Sequence, residues 1–282
     1  MKSELARILS LKNEPIVVLT TNDKPKNAAQ FKEGKMGCVI DMVIAVAKGK
    51  TAVFSRRTCG CPGGGTGLGF GNQYKHLPGG EETFCYFLSV GAKEWERGRN
   101  IAKLVRPFVN HKLHHTFING ERYIKSPYLV KRFLDCLPMI DIPFEYIVFK
   151  PLSEIHVNEV VPKTVIFLVD YDQLSAMACL ANYDRECNDN VIIPWAASCQ
   201  SIGIYPFYQS TQEIPRAVIG LIDIYSRIKL KRQLKNDILS FAVPYRMFEE
   251  MESNITGSFL EGNTWKELID LKMGVASQNS LL

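Results

Sequence analysis

The chain has 282 residues, 46% of them hydrophobic and 22% charged, with a formal net charge of +5. That composition is globular and argues against disorder, and the mild basic excess lacks the clustered footprint of a nucleic-acid-binding face. No apolar run reaches the ~18 residues of a membrane span, and the start, Met1-Lys-Ser-Glu-Leu-Ala-Arg7, carries charge where a signal peptide has its apolar core. The expectation is a cytoplasmic protein with neither membrane nor nucleic acid among its partners.

In chain order, Ser3 to Leu11 has the apolar spacing of a short helix capped by Ser3, and Ile16–Thr20 has the composition of a buried strand. Gly37-Cys38 opens a strongly apolar helix that stops at Gly49, and Thr51–Ser55 is a short strand. A glycine-rich loop follows. Thr83–Val90 reads as a strand, Lys93–Val105 as a charged helix, and 106–120, with its histidines, as an exposed connection. Ser126-Pro127 marks a helix start. Strands are expected at 146–149, 165–169, 191–193, 217–222 and 238–243, with helices after Asp172, near Ala196–Cys199, from Pro244, and over Thr264–Lys272. Strands alternating with helices predict an α/β or α+β fold on a mixed sheet. The expected organisation is one compact unit over 1–275, with two intimately packed subdomains as the variant, and a frayed tail at 276–282.

The densest basic stretch, Arg227 to Lys235, alternates charge with apolar residues as a solvated face does. The chain's chemistry is concentrated elsewhere, in Thr58–Gly71, which holds two of the eight cysteines and seven of the twenty glycines. Nicotinamide-dinucleotide binding needs glycines at n, n+2 and n+5; from Gly65 the third position is Phe70, and from Gly67 it is Asn72. There is no Gly-Lys-Ser or Gly-Lys-Thr for a P-loop. Gly60, Gly63, Gly64, Gly65 and Gly67 are therefore read as backbone that lies close to a bound group, or as an anion nest.

Cys59 and Cys61 flank one glycine, which is not zinc-knuckle spacing, so a metal or cluster needs ligands from distant segments. Cys38, at a helix start that favours a thiolate, and Cys199, in a turn after a strand, are the candidates. Soft sulfur ligands suit an iron–sulfur cluster. Cys85, Cys136 and Cys179 read as small core residues, Cys187 sits in a polar turn, and His76 follows the glycines.

Taken together, Gly37-Cys38, Gly49-Lys-Thr-Ala-Val-Phe54, Gly60-Cys-Pro-Gly-Gly64 with Gly67–Gly71, Asp189–Pro194 with Cys199, and Val243–Phe248 with Gly257–Leu260 resemble the uncharacterised ArCR family of bacteria and archaea. The resemblance spans about residues 15–265. It implies family cysteines at Cys38, Cys61 and Cys199, with Cys59 less marked as a family position, and it supplies no reaction. Three uses of the site remain open: an iron–sulfur protein serving a small molecule or an electron partner, an enzyme with Cys61 or Cys199 as nucleophile, and a non-catalytic module for a small anion or metabolite.

Overall fold

The computed structural model describes residues 1–156, 161–234 and 237–274. Seven strands, β1 (Ile16–Thr21), β2 (Ala52–Ser55), β3 (Tyr146–Pro151), β4 (Thr164–Val169), β5 (Val191–Ile192), β6 (Ala217–Gly220) and β7 (Leu239–Pro244), form one sheet in the order β2-β3-β1-β4-β7-β6-β5. All pairs are antiparallel except β5–β6, so the sheet is mixed, as the sequence predicts. Strands β4 and β7 are apolar and buried nearly throughout, because helices cover both faces.

The helices, in order, are α1 (Glu4–Ile8), α2 (Val39–Ala47), α3 (Pro62–Gly67), α4 (Glu81–Leu88), α5 (Gly98–Val105), α6 (His111–Asn119), α7 (Pro127–Cys136), α8 (Tyr171–Ala181), α9 (Ser198–Ser201), α10 (Ile204–Gln209), α11 (Ile224–Gln233), α12 (Tyr245–Ser253) and α13 (Asn263–Met273). The pleat sorts side chains between two cores. Val17 and Leu19 turn to one face with Val165 and Phe167, where α1, α8 and α12 pack. Ile16 and Val18 turn to the other with Ile166 and Leu168, where α2, Leu68, Ile202 and Leu230 pack. The second face carries Cys38, Cys59 and Cys199.

Several expectations are corrected. Residues 62–67 are not a loop: Pro62 at the first helical position and the Cys61 cap start a helix whose Gly65 N–H bonds Cys61 O at 2.8 Å. Thr83–Leu88 is helix rather than strand, with Glu81 and Glu82 in its first turn and Cys85 and Leu88 packed against Val130 and Leu134 of α7. The connection at 106–120 contains α6, capped by Asn110, and Phe117 packs beside Trp95 and Ile101. Helix α8 is capped by Asp170, not Asp172, and Pro244 ends β7 instead of opening α12. The predicted cap at Ser3 and the Ser126-Pro127 start both hold. Cys136 and Cys179 are exposed, each on the outer side of its helix, and not core residues. On α11, Arg227 and Lys231 pair with Asp237, and Lys229 with Asp41. Lys235 and the tail after 275 lie outside the described residues.

Candidate functional site: a buried thiol cluster

Strand β2 ends at Ser55, and a tight turn closed by Cys59 N–H to Ser55 O at 3.0 Å delivers Cys59 to the core. Two residues on, Cys61 caps α3, its sulfur accepting the Gly64 N–H at 3.4 Å. Cys38 caps α2. Cys199 lies in the first turn of α9, its S–H donating to Gly63 O at 3.1 Å. Three distant segments thus set cysteines at three helix starts around Gly63 and Gly64.

The glycines show how close these parts lie. A methyl group on Gly64 would stand 3.4 Å from Cys59 Sγ and 3.4 Å from Cys61 Cβ. One on Gly63 would stand 3.4 Å from Tyr74 Oη and 4.0 Å from Cys61 Sγ. Gly63 and Gly64 therefore face the sulfurs. The other three candidate glycines face protein: a methyl on Gly60 would lie 2.3 Å from Lys35 O, one on Gly65 2.7 Å from Gln73 Cγ, and one on Gly67 2.7 Å from the Cys199 carbonyl carbon.

Electrostatically the thiols are held neutral. Burial pushes Cys38 up to about 11 and Cys59 up to about 12. Cys61 is raised by burial against the opposing Gly64 and Gly63 N–H groups, and Cys199 is raised well above the ordinary thiol range by burial and then by the charge of Cys61. The expectation that the start of α2 would favour a Cys38 thiolate is thus reversed: the end of one short helix is outweighed by desolvation. Cys61 acts electrostatically on each of the other three, raising them further after burial.

Among the described residues, no three His, Cys, Asp or Glu side chains come together tightly enough to clasp a single metal ion. His76 is exposed, and His114 bonds Ala102 O. A cleft of about 150 Å³ lined by Lys12, Asp170, Gln173 and Asp237 is separate and contains no cysteine.

Sequence reading missed four neighbours of the thiols. Tyr74 is fully buried, and its hydroxyl accepts from Gln200 Nε2 at 3.0 Å. Asp223 caps α11 and also accepts the Ser198 N–H at 2.8 Å, tying α11 to the start of α9. Glu121 is pushed up to about 7 by burial and then by the charge of Asp223, and its own charge acts on Cys61. The available signals were slight: Gln200 directly follows Cys199, and Tyr74 follows the glycine run.

The seven-stranded mixed sheet with helices on both faces defines an α/β protein, with half-buried and buried thiols on one face. The chain belongs to the family described as uncharacterised ArCR, DUF169, whose family model matches residues 4–254. No curated protein and no solved structure shows significant similarity to it.

Proposed function

We propose that the chain is an iron–sulfur protein in which Cys38, Cys61 and Cys199 are ligands, Cys59 is the fourth sulfur, and Gly63 and Gly64 border the cluster. The carrying observation is the convergence of four thiols from three segments, Cys59 buried and Cys38, Cys61 and Cys199 half-buried. A single zinc ion, at about 2.3 Å from each sulfur, would need the thiolates within about 4 Å of one another, and no such grouping occurs among the described residues. A multi-iron core binds each thiolate to a different iron, so it suits thiols that share a pocket without touching. Burial also favours a cationic occupant: iron replaces the protons that desolvation holds on the sulfurs, and the buried charge is then paired. Cluster binding would supply one-electron chemistry, or Lewis-acid chemistry on a small molecule if only three thiolates bind.

A cysteine nucleophile is less well supported. It calls for a thiol of lowered pKa, and burial raises all four here.

Purification without oxygen, with iron and sulfide analysis and a visible spectrum, tests the proposal. The expected protein is coloured, with iron and sulfide in equal amounts. Cys61→Ala and Cys199→Ala lose the colour, while Cys85→Ala, in the separate core under α4 and α7, keeps it. A wild-type protein that stays colourless and iron-free after anaerobic reconstitution would sink the reading.

A further inference from the structure

Of the three tryptophans, Trp95 and Trp265 are each 6% exposed, whereas Trp195 is 41% exposed. Two further rings meet Trp195 at an angle, Tyr123 at a centroid distance of 5.9 Å and 53°, Phe133 at 5.5 Å and 58°. Tyr123 is itself 37% exposed, while Phe133 is half-buried against the core under α4 and α7. Rings tilted in this way leave open the faces that a parallel stack would cover. The backbone beneath Tyr123 is held in place. Glu121 N–H bonds Phe87 O at 2.8 Å, and Tyr123 N–H bonds Leu88 O at 3.1 Å. Between them Arg122 bonds Ser89 O at 3.1 Å with a φ of 60°, a left-handed conformation that few residues other than glycine adopt.

Two carboxylates adjoin these rings. Asp223 Oδ2 accepts the N–H of Ser198, three residues after Trp195, at 2.8 Å. Glu121 stands two residues before Tyr123, and the charges of both acids act on the Tyr123 hydroxyl. Among the described residues the Glu121 carboxylate has neither a hydrogen bond nor a cation: burial and the charge of Asp223 are what act on it. Half-buried carboxylates are ordinarily paired, yet the neighbouring Arg122 turns its guanidinium to Asn119 O instead. An uncompensated negative pair beside open aromatic faces has a cation as its complement. Two carboxylates are too few to enclose a hard metal ion, which takes six or more oxygens. A methylated ammonium, with its charge spread over carbon, is held by ring faces and carboxylates together.

We propose that Tyr123, Trp195, Glu121 and Asp223 form a binding site for a methylated ammonium group, the rings meeting its methyl groups and the carboxylates its charge. The site adjoins the thiols, since Ser198 directly precedes Cys199, but it does not depend on what the thiols hold. A bound cation also supplies the partner that the fold denies Glu121.

The test is a titration with tetramethylammonium chloride, set against sodium chloride at equal ionic strength and read by tryptophan fluorescence, which Trp195 supplies from the surface. Wild type should show a saturable change that sodium does not produce, and a melting temperature that rises with tetramethylammonium. Tyr123→Phe keeps the ring and should keep the binding. Tyr123→Ala and Glu121→Gln should each weaken it about fivefold or more. A short peptide amide carrying trimethyl-lysine separates two sources of the same group. Tighter binding than tetramethylammonium assigns the group to a modified protein, and equal binding assigns it to a free metabolite. Fluorescence that follows ionic strength alone overturns the proposal. So does one affinity shared by wild type, Tyr123→Ala and Glu121→Gln, because the ammonium then binds elsewhere.

Discussion

A methyl group on Gly67 would meet backbone rather than a movable side chain: the Cys199 carbonyl carbon at 2.7 Å, its oxygen at 2.9 Å and Gln200 N at 2.9 Å. Gly203, in the turn between α9 and α10, answers from the other side, where a methyl would lie 2.0 Å from Gly67 O. The two glycines let α3 and α9 cross in contact, and that crossing places Cys199 beside Gly63. Gly67→Ala is therefore expected to cost about 1–3 kcal/mol by overpacking, read as a lower urea midpoint at unchanged slope. Gly63→Ala meets nothing closer than 3.4 Å, so its stability should stay within about 0.5 kcal/mol of wild type. Its methyl group, however, enters the space beside Cys61, and iron content should fall. The same pair of residues shows what could be read without coordinates. Glycine and cysteine enrichment marked the place, but only the tertiary crossing separates Gly63 and Gly64, which border the sulfurs, from Gly60, Gly65 and Gly67, which accommodate protein. Tyr74 and Gln200 were missed because nothing local marks which buried tyrosine the fold will bond to a glutamine from a distant helix.

At the scale of the element, α3 is a helix that its own sequence opposes. Four of its six residues, Pro-Gly-Gly-Gly-Thr-Gly, are glycine, and each costs about 1 kcal/mol relative to alanine in a helix. Its stability must come from neighbours: the cap at Cys61, the Gln73 N–H bonded to Thr66 Oγ1 at 3.0 Å, and the packing on α9. This explains why propensity reads the stretch as a loop, and why α4, rich in Phe and Tyr, reads as a strand: tertiary contact decides both. Strands β1, β3, β4 and β7 were legible because their buried apolar runs are long, and α7 because its cap and proline agree with its periodicity. A helix held by contact alone opens easily. In amide exchange of the metal-free protein, the Gly65 and Leu68 N–H groups, which bond Cys61 O and Gly64 O, should exchange well before those of α2. Iron loading should slow them at least tenfold, because a ligand that binds only the closed form stabilises it. Equal protection of α3 and α2 without iron would show that α3 stands without help.

Over the whole molecule, the sheet divides labour between its faces. One face, under α1, α8 and α12, is an apolar core, while the other carries the thiols and is bordered by the α4–α7 helices and the loop holding Glu121. The ionisable groups confined near the thiols make global stability depend on pH. Glu121 titrates near 7 in the folded chain, raised by burial and by Asp223 from the ordinary value of 4.5. Between about pH 4.5 and pH 7 the folded state therefore holds a proton that the unfolded state has released. Stability falls as pH rises wherever the folded state binds more protons. Glu121 thus opposes folding above pH 7, by about 3 kcal/mol from the size of the shift, and costs nothing below pH 4. Glu252, also raised by burial, slopes the same way, so the wild-type curve alone does not isolate Glu121. Glu121→Gln keeps the shape and removes the titration. Urea unfolding of both metal-free proteins across pH 4–8 should give coincident stabilities at the acid end. The variant should become progressively more stable toward pH 8, by about 3 kcal/mol. A difference between the two proteins that does not change with pH would mean that Glu121 ionises freely in the fold, and that the second face is open to water where the thiols stand.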